Sequence, residues 1–185
     1  MLLQTFSGRT FAPLAPTTTD VALEDIAHAL SHLCRFGGHV RTFYSVAQHA
    51  VLVSHALPPE FALWGLLHDA SEAYLVDLPT PVKVTGPLAG YRGVETLIQR
   101  TIYQAFGLSG EEPAAVHVAD LQLLVLEARA LLHPDGAARV AADAPADLVL
   151  PPIRIEPVAP ARAKHGFLAR FEALDAARPR LGAVR

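Results

Sequence analysis

The sequence predicts an all-α protein, a bundle of about six helices in a single domain over residues 1–185. Apolar residues recur at helical spacing in several segments, whereas almost no segment alternates as a strand does. Proline and glycine separate these segments, and no linker between them is long enough to divide the chain. With 185 residues, of which 51% are hydrophobic and 18% charged, the chain is long and apolar enough for one packed core.

The N-terminal segment is expected to be irregular before the first helix begins. Residues 1–19 show no period, and we predict a lead-in there with a short strand near Phe6 or Phe11. Asp20 is the predicted N-cap of the first helix, and the Gly-Gly pair at 37 and 38 ends it. The apolar residues of this helix recur every three or four positions: Ala22, Leu23, Ile26, Leu30 and Leu33.

Two further helices follow in the first half of the chain. Ser45 and Gln48 form a capping-box pattern, which predicts the start of the second helix. Pro58 and Pro59 end that helix, because proline cannot continue one. The third helix is predicted as one continuous element over residues 60–75, and its apolar residues lie nearly all round it, as in a central helix of a bundle.

The second half of the sequence predicts three helices separated by irregular segments. A loop rich in proline and glycine precedes the first of these helices. Gly107 is the predicted C-cap of that helix. The predicted helices cover residues 91–106, 111–133 and 161–177, with irregular chain between 134 and 152. Residues 178–185 are expected to form a frayed tail.

Composition excludes several classes of protein. A net charge of −3 and a pI near 6.3 argue against a nucleic-acid partner, which requires a basic surface. Cys34 is the sole cysteine, so the chain forms no internal disulfide, and we expect a reducing cytoplasmic location. No signal peptide or membrane span is recognisable. The mean hydropathy of +0.29 is compatible with a homodimer or higher homo-oligomer.

His68 and Asp69 stand side by side within the apolar third helix. Ionisable groups are costly to bury unless something compensates them, and a divalent cation would accept an imidazole nitrogen and a carboxylate oxygen together. Further ligands would have to come from other helices. His49 is the first candidate. Asp120 is the second, because it shares a helix face with apolar neighbours, although a buried carboxylate can instead pair with an arginine.

The stretch "LLHDASEAYLVDLPTPVK", residues 66–83, resembles the motif segment of the HD-domain metal-dependent phosphohydrolases. It is especially similar to the bacterial HD-type 5'-deoxynucleotidases, and the resemblance extends over roughly residues 25–125. It implies an HD-domain helical fold. It also implies one divalent metal ion, held by the residues that match the family's ligands: His49, His68, Asp69 and Asp120.

The resemblance implies further roles around this metal. Glu72 lies one helical turn after the pair, where it would orient a water or protonate the leaving oxygen; the alternative is a helix-surface partner. Arg35 and Phe36 match the family's phosphate-binding arginine and its aromatic neighbour, here Phe in place of Trp; the alternatives are a helix-dipole charge and a core aromatic. Asp77 would accept from a sugar hydroxyl, or cap a turn, and Lys83 would contact a phosphate.

These residues lead us to expect a metal-dependent phosphohydrolase acting on small nucleotides. The first expectation is a 5'-nucleotidase acting on (deoxy)nucleoside monophosphates, and the alternative is a deoxynucleoside triphosphate triphosphohydrolase. An alternative of another class is a non-catalytic nucleotide-binding regulator. Two histidines and two carboxylates suit Co, Mn, Fe, Ni or Zn, and are less suited to Mg.

Overall fold

In a computed structural model, the chain is a predominantly helical protein with one small sheet. The structure describes residues 2–76, 78 and 89–178. Over these residues no helix combines the length and the apolar character that crossing a membrane requires. The α-helices among the described residues are α1 (Leu23–His32), α2 (Val46–Ala56), α3 (Ala62–Leu67), α4 (Glu72–Leu75), α5 (Ala89–Ala105), α6 (Ala114–Leu131), α7 (Pro134–Asp143) and α8 (Pro160–Ala177), and a short 3₁₀ helix covers Arg35–Gly38.

A two-stranded hairpin near the N-terminus packs against the helices. Strands β1 (Leu3–Gln4) and β2 (Thr10–Phe11) pair antiparallel, in the segment where a short strand was expected. The ring of Phe11 is fully buried and stacks on Tyr74 at 3.8 Å between centroids. The carboxylate of Asp25 accepts hydrogen bonds from the backbone N–H and hydroxyl of Ser7. These contacts fix the hairpin against α1 and α4.

The start of α1 differs from the prediction. The helix begins at Leu23, with Ala22 in the N-cap position. The carboxylate of Asp20, predicted as the cap, instead accepts from the backbone N–H of Thr17 at 2.9 Å and from its hydroxyl at 2.7 Å. A side chain that closes the preceding turn is no longer available to cap the helix.

The predicted cap of α2 is confirmed. The Ser45 hydroxyl accepts from the backbone N–H of Gln48 at 3.1 Å. The Gln48 side chain does not complete the capping box, because its amide donates to the Glu156 carbonyl and accepts from the Val158 N–H. The cap of α2 is thereby connected to the segment that leads into α8.

The third helix was predicted as one element over residues 60–75, and this is wrong. The structure has α3 and α4 with residues 68–71 between them. The backbone bonds across the gap join residues three apart, from the Ala70 N–H to the Leu67 carbonyl and from the Glu72 N–H to the Asp69 carbonyl. Such spacing is typical of a tighter, 3₁₀-like turn. The Ser71 N–H, which lies between these two bonds, donates to the side chain of Gln99 and not to the backbone. His68 and Asp69 therefore lie in a turn whose regular bond from Ser71 to Leu67 is opened.

The irregular segment predicted after residue 133 is also wrong over its first part. Helix α7 forms there, with Pro134 in its first turn and the side chain of His133 accepting from the Asp135 N–H. Proline at this position is pre-organised for a helix start. Histidine is an uncommon capping residue, which is why this start was missed. Gly107 follows α5 with a φ of +69°, in the left-handed conformation that its predicted C-cap role requires.

Close packing of α2 on α3 brings the two predicted histidine ligands together. Gly65 in α3 faces α2 and its C-terminal end, and an added Cβ there would lie 2.4 Å from Leu57 Cδ1 and 3.2 Å from Val53 Cγ1. The absence of a side chain at residue 65 thus allows the two helices to approach closely. This contact sets the separation of His49 on α2 from His68 after α3.

We expect Gly65→Ala to destabilise the protein. Alanine normally favours a helix over glycine by up to about 1 kcal/mol, but overpacking a tight core contact costs about 1–3 kcal/mol. The free energy of unfolding should therefore fall, as measured by urea denaturation.

Gly166→Ala provides the matched control. Gly166 lies within α8, and a Cβ there would meet nothing within 4 Å, so this substitution should stabilise the protein. If Gly65→Ala stabilised the protein equally, the close approach of α2 and α3 would not depend on that glycine.

Candidate metal centre

The structure brings together the four side chains predicted as metal ligands. His49 Nε2 and His68 Nε2 are 3.3 Å apart. An oxygen of Asp69 lies 3.2 Å from His68 Nε2 and 3.6 Å from His49 Nε2. Asp120 Oδ1 lies 3.1 Å from His49 Nε2 and 3.9 Å from His68 Nε2. Three separate elements of the bundle thus converge on one point.

These separations fit a metal coordination sphere. Ligand bonds of ~2.1 Å in tetrahedral geometry place neighbouring ligand atoms about 3.4 Å apart. Three of the residues, His49, His68 and Asp69, offer ligand atoms that all lie within 4.8 Å of one another. Asp120 joins them through its approach to both imidazoles. The residues present therefore fit a divalent ion.

The second nitrogen of each imidazole strengthens this interpretation. His68 Nδ1 is 2.8 Å from the Gly65 carbonyl, which can only accept, so Nδ1 carries a proton. His49 Nδ1 is 2.7 Å from a carboxylate oxygen of Glu127. In a neutral imidazole, each Nε2 then presents a lone pair to the other and to two carboxylates. Such a cluster of acceptors is favourable only around a proton or a cation.

The electrostatics show how strongly the site attracts positive charge. Burial works to lower the pKa of His68, but Asp69, Asp120 and the Gly65 carbonyl together outweigh it and raise that pKa to about 10. Burial and Arg35 oppose protonation of His49, yet Glu127 and Asp120 raise its pKa above the usual value. Burial would raise the pKa of Asp120, but the hydrogen bond with His49 and the charges of His49 and His68 together lower it to about 2. In the metal-free protein, protons hold together the cage formed by His49, His68, Asp69 and Asp120.

Glu127 was missed by the sequence reasoning. Its side chain is fully buried in α6 and accepts from His49 Nδ1 and from the Tyr44 hydroxyl at 2.8 Å. Burial raises the pKa of this carboxyl, and His49 and Arg35 lower it further than burial raises it. It therefore fixes the His49 ring from behind, as carboxylates do for many metal-binding histidines. Its position seven residues after Asp120 places both on one helix face, which was the available signal.

Arg35 lies against the cage. Its Nη1 is 3.5 Å from Asp69 and its Nε is 3.2 Å from Glu127. Burial would lower the pKa of this guanidinium, but the two carboxylates raise it, so the group stays charged. Arg35 thus partly neutralises an excess of acidic groups around the two histidines. Neighbouring Phe36 is half-buried, has a φ of +56°, and its ring centroid is 5.6 Å from the guanidinium carbon.

Glu72 opens α4 and is buried at one side of a cavity that reaches the cage. The cavity measures about 710 Å³, a volume within the range of small-molecule sites. Its described wall comprises His68, Asp69, Ser71, Glu72, Glu95, Thr96, Gln99, Arg100, Tyr103, Gln104, Leu108, Ser109, Gly110, Glu111 and Glu112. Arg35 and Phe36 are not part of this described wall. Asp77 and Lys83 lie outside the described residues.

Comparison with known proteins gives relatives but no activity. No family model matches the chain. It is 41% identical over 174 residues to the uncharacterized protein YfdR of Escherichia coli K12, covering 94% of this chain and 95% of that protein. It is 36% identical over 135 residues to an uncharacterized protein of Rhodobacter capsulatus, covering 66% of this chain and 68% of that protein.

We expect metal binding to release protons. At pH 7 the raised pKa of His68 keeps its imidazole protonated in the metal-free protein, and a metal ligand must be neutral. Protons compete with the metal ion for the imidazole of His68. The affinity for Co²⁺ should therefore rise as the pH is raised from 6 toward the His68 pKa of about 10. Calorimetry with Co²⁺ at pH 7, in buffers of different ionisation enthalpy, should count at least one proton released.

The exposed His55 on α2 provides the control for this measurement. His55→Gln should leave the proton count unchanged. Binding of Co²⁺ with no proton release in the unsubstituted protein would contradict the assignment of the two histidines.

Proposed function

We propose that this chain, which belongs to the same family as the uncharacterized protein YfdR of Escherichia coli, catalyses metal-dependent hydrolysis of phosphate bonds in small nucleotides. We further propose that its fold is that of the HD-domain phosphohydrolases. The observation that carries the proposal is the meeting of two imidazoles and two carboxylates from three elements, beside a cavity of about 710 Å³.

The donor set supports a catalytic role for the metal rather than a purely structural one. Structural zinc sites are closed four-coordinate sets, usually rich in cysteine, and Cys34 takes no part in this cluster. A divalent ion in this cage would supply a nucleophilic water at neutral pH and draw charge from a phosphoryl group. Two histidines and two carboxylates favour Co, Mn, Fe, Ni or Zn over Mg.

Glu72 is the residue proposed to move the proton. It follows Asp69 by three residues, and its backbone N–H bonds to the Asp69 carbonyl, so both belong to one turn. The side chain is buried at the edge of the cavity. A carboxylate held there would accept a proton from the attacking water or deliver it to the departing oxygen. Arg35, charged and next to Asp69, would oppose the negative charge of the phosphoryl group.

The charges around the cavity favour a monophosphate over a triphosphate substrate. Among its described lining residues, Arg100 is the sole Lys or Arg, whereas Asp69, Glu72, Glu95, Glu111 and Glu112 all carry carboxyl groups. A triphosphate would bring several further negative charges to this acidic wall, at a cost in repulsion. An uncharged leaving group such as a nucleoside avoids that cost. We therefore rank 5'-nucleotidase action first and triphosphohydrolase action second.

The test is a screen of the purified protein with nucleoside mono- and triphosphates and with Mn²⁺, Co²⁺, Mg²⁺ or Zn²⁺. We expect orthophosphate from monophosphates with a transition metal. Release of inorganic triphosphate would select the triphosphohydrolase instead. Nucleotide binding without release of any phosphate, in every metal, would contradict enzymatic action and favour a binding regulator.

We expect Glu72→Gln to lower kcat by about 10²-fold or more, because general acid–base groups contribute about 10²–10⁴-fold. Metal affinity should remain, since the amide keeps the size of the side chain and the four ligands are untouched. Glu172→Gln, on the exposed part of α8, provides the control and should retain full activity. Full activity of Glu72→Gln would show that this carboxylate has no proton-transfer role.

A further inference from the structure

The opened turn between α3 and α4 contains a side-chain amide from another helix. In a regular α-helix the N–H of Ser71 would donate to the carbonyl of Leu67, four residues earlier. Here the Ser71 N–H donates to Gln99 Oε1 at 2.9 Å instead. The Nε2 group of the same amide donates to the Leu67 carbonyl at 2.7 Å. The Gln99 side chain therefore replaces one backbone hydrogen bond of the helix. It bonds both to the Ser71 N–H and to the Leu67 carbonyl, which that backbone bond would have joined.

Insertion of a side chain into the hydrogen-bond ladder is a recognised cause of a break in a helix. Such a break would leave the buried Ser71 N–H without a partner and would remove one of the two donors to the Leu67 carbonyl, which is costly away from water. The Gln99 amide removes that cost. Leu67 O also accepts from the Ala70 N–H at 3.0 Å, so the carbonyl uses both of its lone pairs. The two backbone groups on either side of the break, the Ser71 N–H and the Leu67 carbonyl, therefore both have partners.

The break coincides with the metal ligands. Adjacent residues of a regular helix point about 100° apart, which works against two neighbours reaching one ion. In the opened turn, His68 Nε2 and an oxygen of Asp69 are 3.2 Å apart. The ring of His68 is fixed from its other side by the Gly65 carbonyl. Both ligands thus depend on the backbone path that Gln99 holds open.

We propose that Gln99 is a positioning residue, which sets the coordination geometry of His68 and Asp69 by holding the helix open between Leu67 and Ser71. This inference rests on the proposed function insofar as it takes the four-residue cluster to be a metal site. Gln99 touches none of the four ligands in a hydrogen bond; it acts through the backbone on either side of the pair. Its own helix, α5, is anchored by the fully buried Ile98 and Ile102, which fixes the amide relative to the gap.

The experiment compares Gln99→Leu with Gln99→Glu. Leucine removes both hydrogen bonds, whereas glutamate keeps an acceptor for the Ser71 N–H and loses the donor to the Leu67 carbonyl. We expect Gln99→Leu to raise the Kd for Co²⁺ by about 10–100-fold, as loss of outer-shell partners does, and Gln99→Glu to raise it less. The visible absorption of bound Co²⁺, which reports coordination geometry, should change in both variants.

Gln104→Leu is the matched control. Gln104 lies on the same helix, lines the same cavity and is exposed, so this substitution should leave Co²⁺ affinity and absorption unchanged. A purely structural role of Gln99 would lower thermal stability while leaving the Kd and the Co²⁺ spectrum as in the unsubstituted protein, and that result would overturn the proposal. If Gln99→Leu failed to fold, a crystal structure of the Co²⁺-loaded unsubstituted protein decides: an amide withdrawn from the gap overturns the proposal.

These readouts do not require turnover. Co²⁺ binding that depends on Gln99, in a protein that hydrolyses no nucleotide, would support the positioning role and contradict the proposed activity. Nucleotide hydrolysis by the unsubstituted protein, with Co²⁺ binding indifferent to Gln99, would support the activity and contradict the positioning role.

Discussion

Two imidazole nitrogens meet 3.3 Å apart, with the carboxylates of Asp69 and Asp120 beside them, and the packing around them serves to keep these four groups together. Four acceptor groups brought together with much of their surface shielded from water repel one another and lose hydration, so they need positive charge between them. Protons meet that need at a high pKa, and a divalent ion would meet it better if it bonded to all four, as we propose. The bundle is built to hold this arrangement.

The surrounding residues serve the cage in distinct ways. Glu127 fixes the ring of His49, and the Gly65 carbonyl fixes the ring of His68. Arg35 balances the negative charge that Glu127 adds to the site, because its guanidinium contacts both Glu127 and Asp69. Without that cation, a third buried carboxylate next to two others would be costly. The outer partners therefore orient the ligands and limit the net charge of the site to what one divalent ion can neutralise.

Much of this arrangement was predictable from local sequence. The Ser45 cap and the Gly107 terminus follow from short patterns, because each depends on neighbours within a few residues. The set of His49, His68, Asp69 and Asp120 was instead predicted from a resemblance to the HD-domain phosphohydrolases that extends over roughly residues 25–125. The break between α3 and α4 did not follow, since the residue that holds it open is Gln99, 28 positions after Ser71. Glu127 was missed for the same reason: it lies in an apolar helix stretch, and its partners are 78 or more positions away. Tertiary contacts of this kind leave little trace in a single sequence.

Anomalous diffraction from crystals grown with Co²⁺ would show whether these four side chains bind a metal ion. We expect one strong peak, within about 2.0–2.3 Å of the ligand atoms of His49, His68, Asp69 and Asp120. The two histidines should keep their Nδ1 contacts with Glu127 and Gly65. A fully loaded crystal whose peak lies elsewhere, with the four side chains making no bond to the ion, would contradict the claim that this cluster is a metal centre.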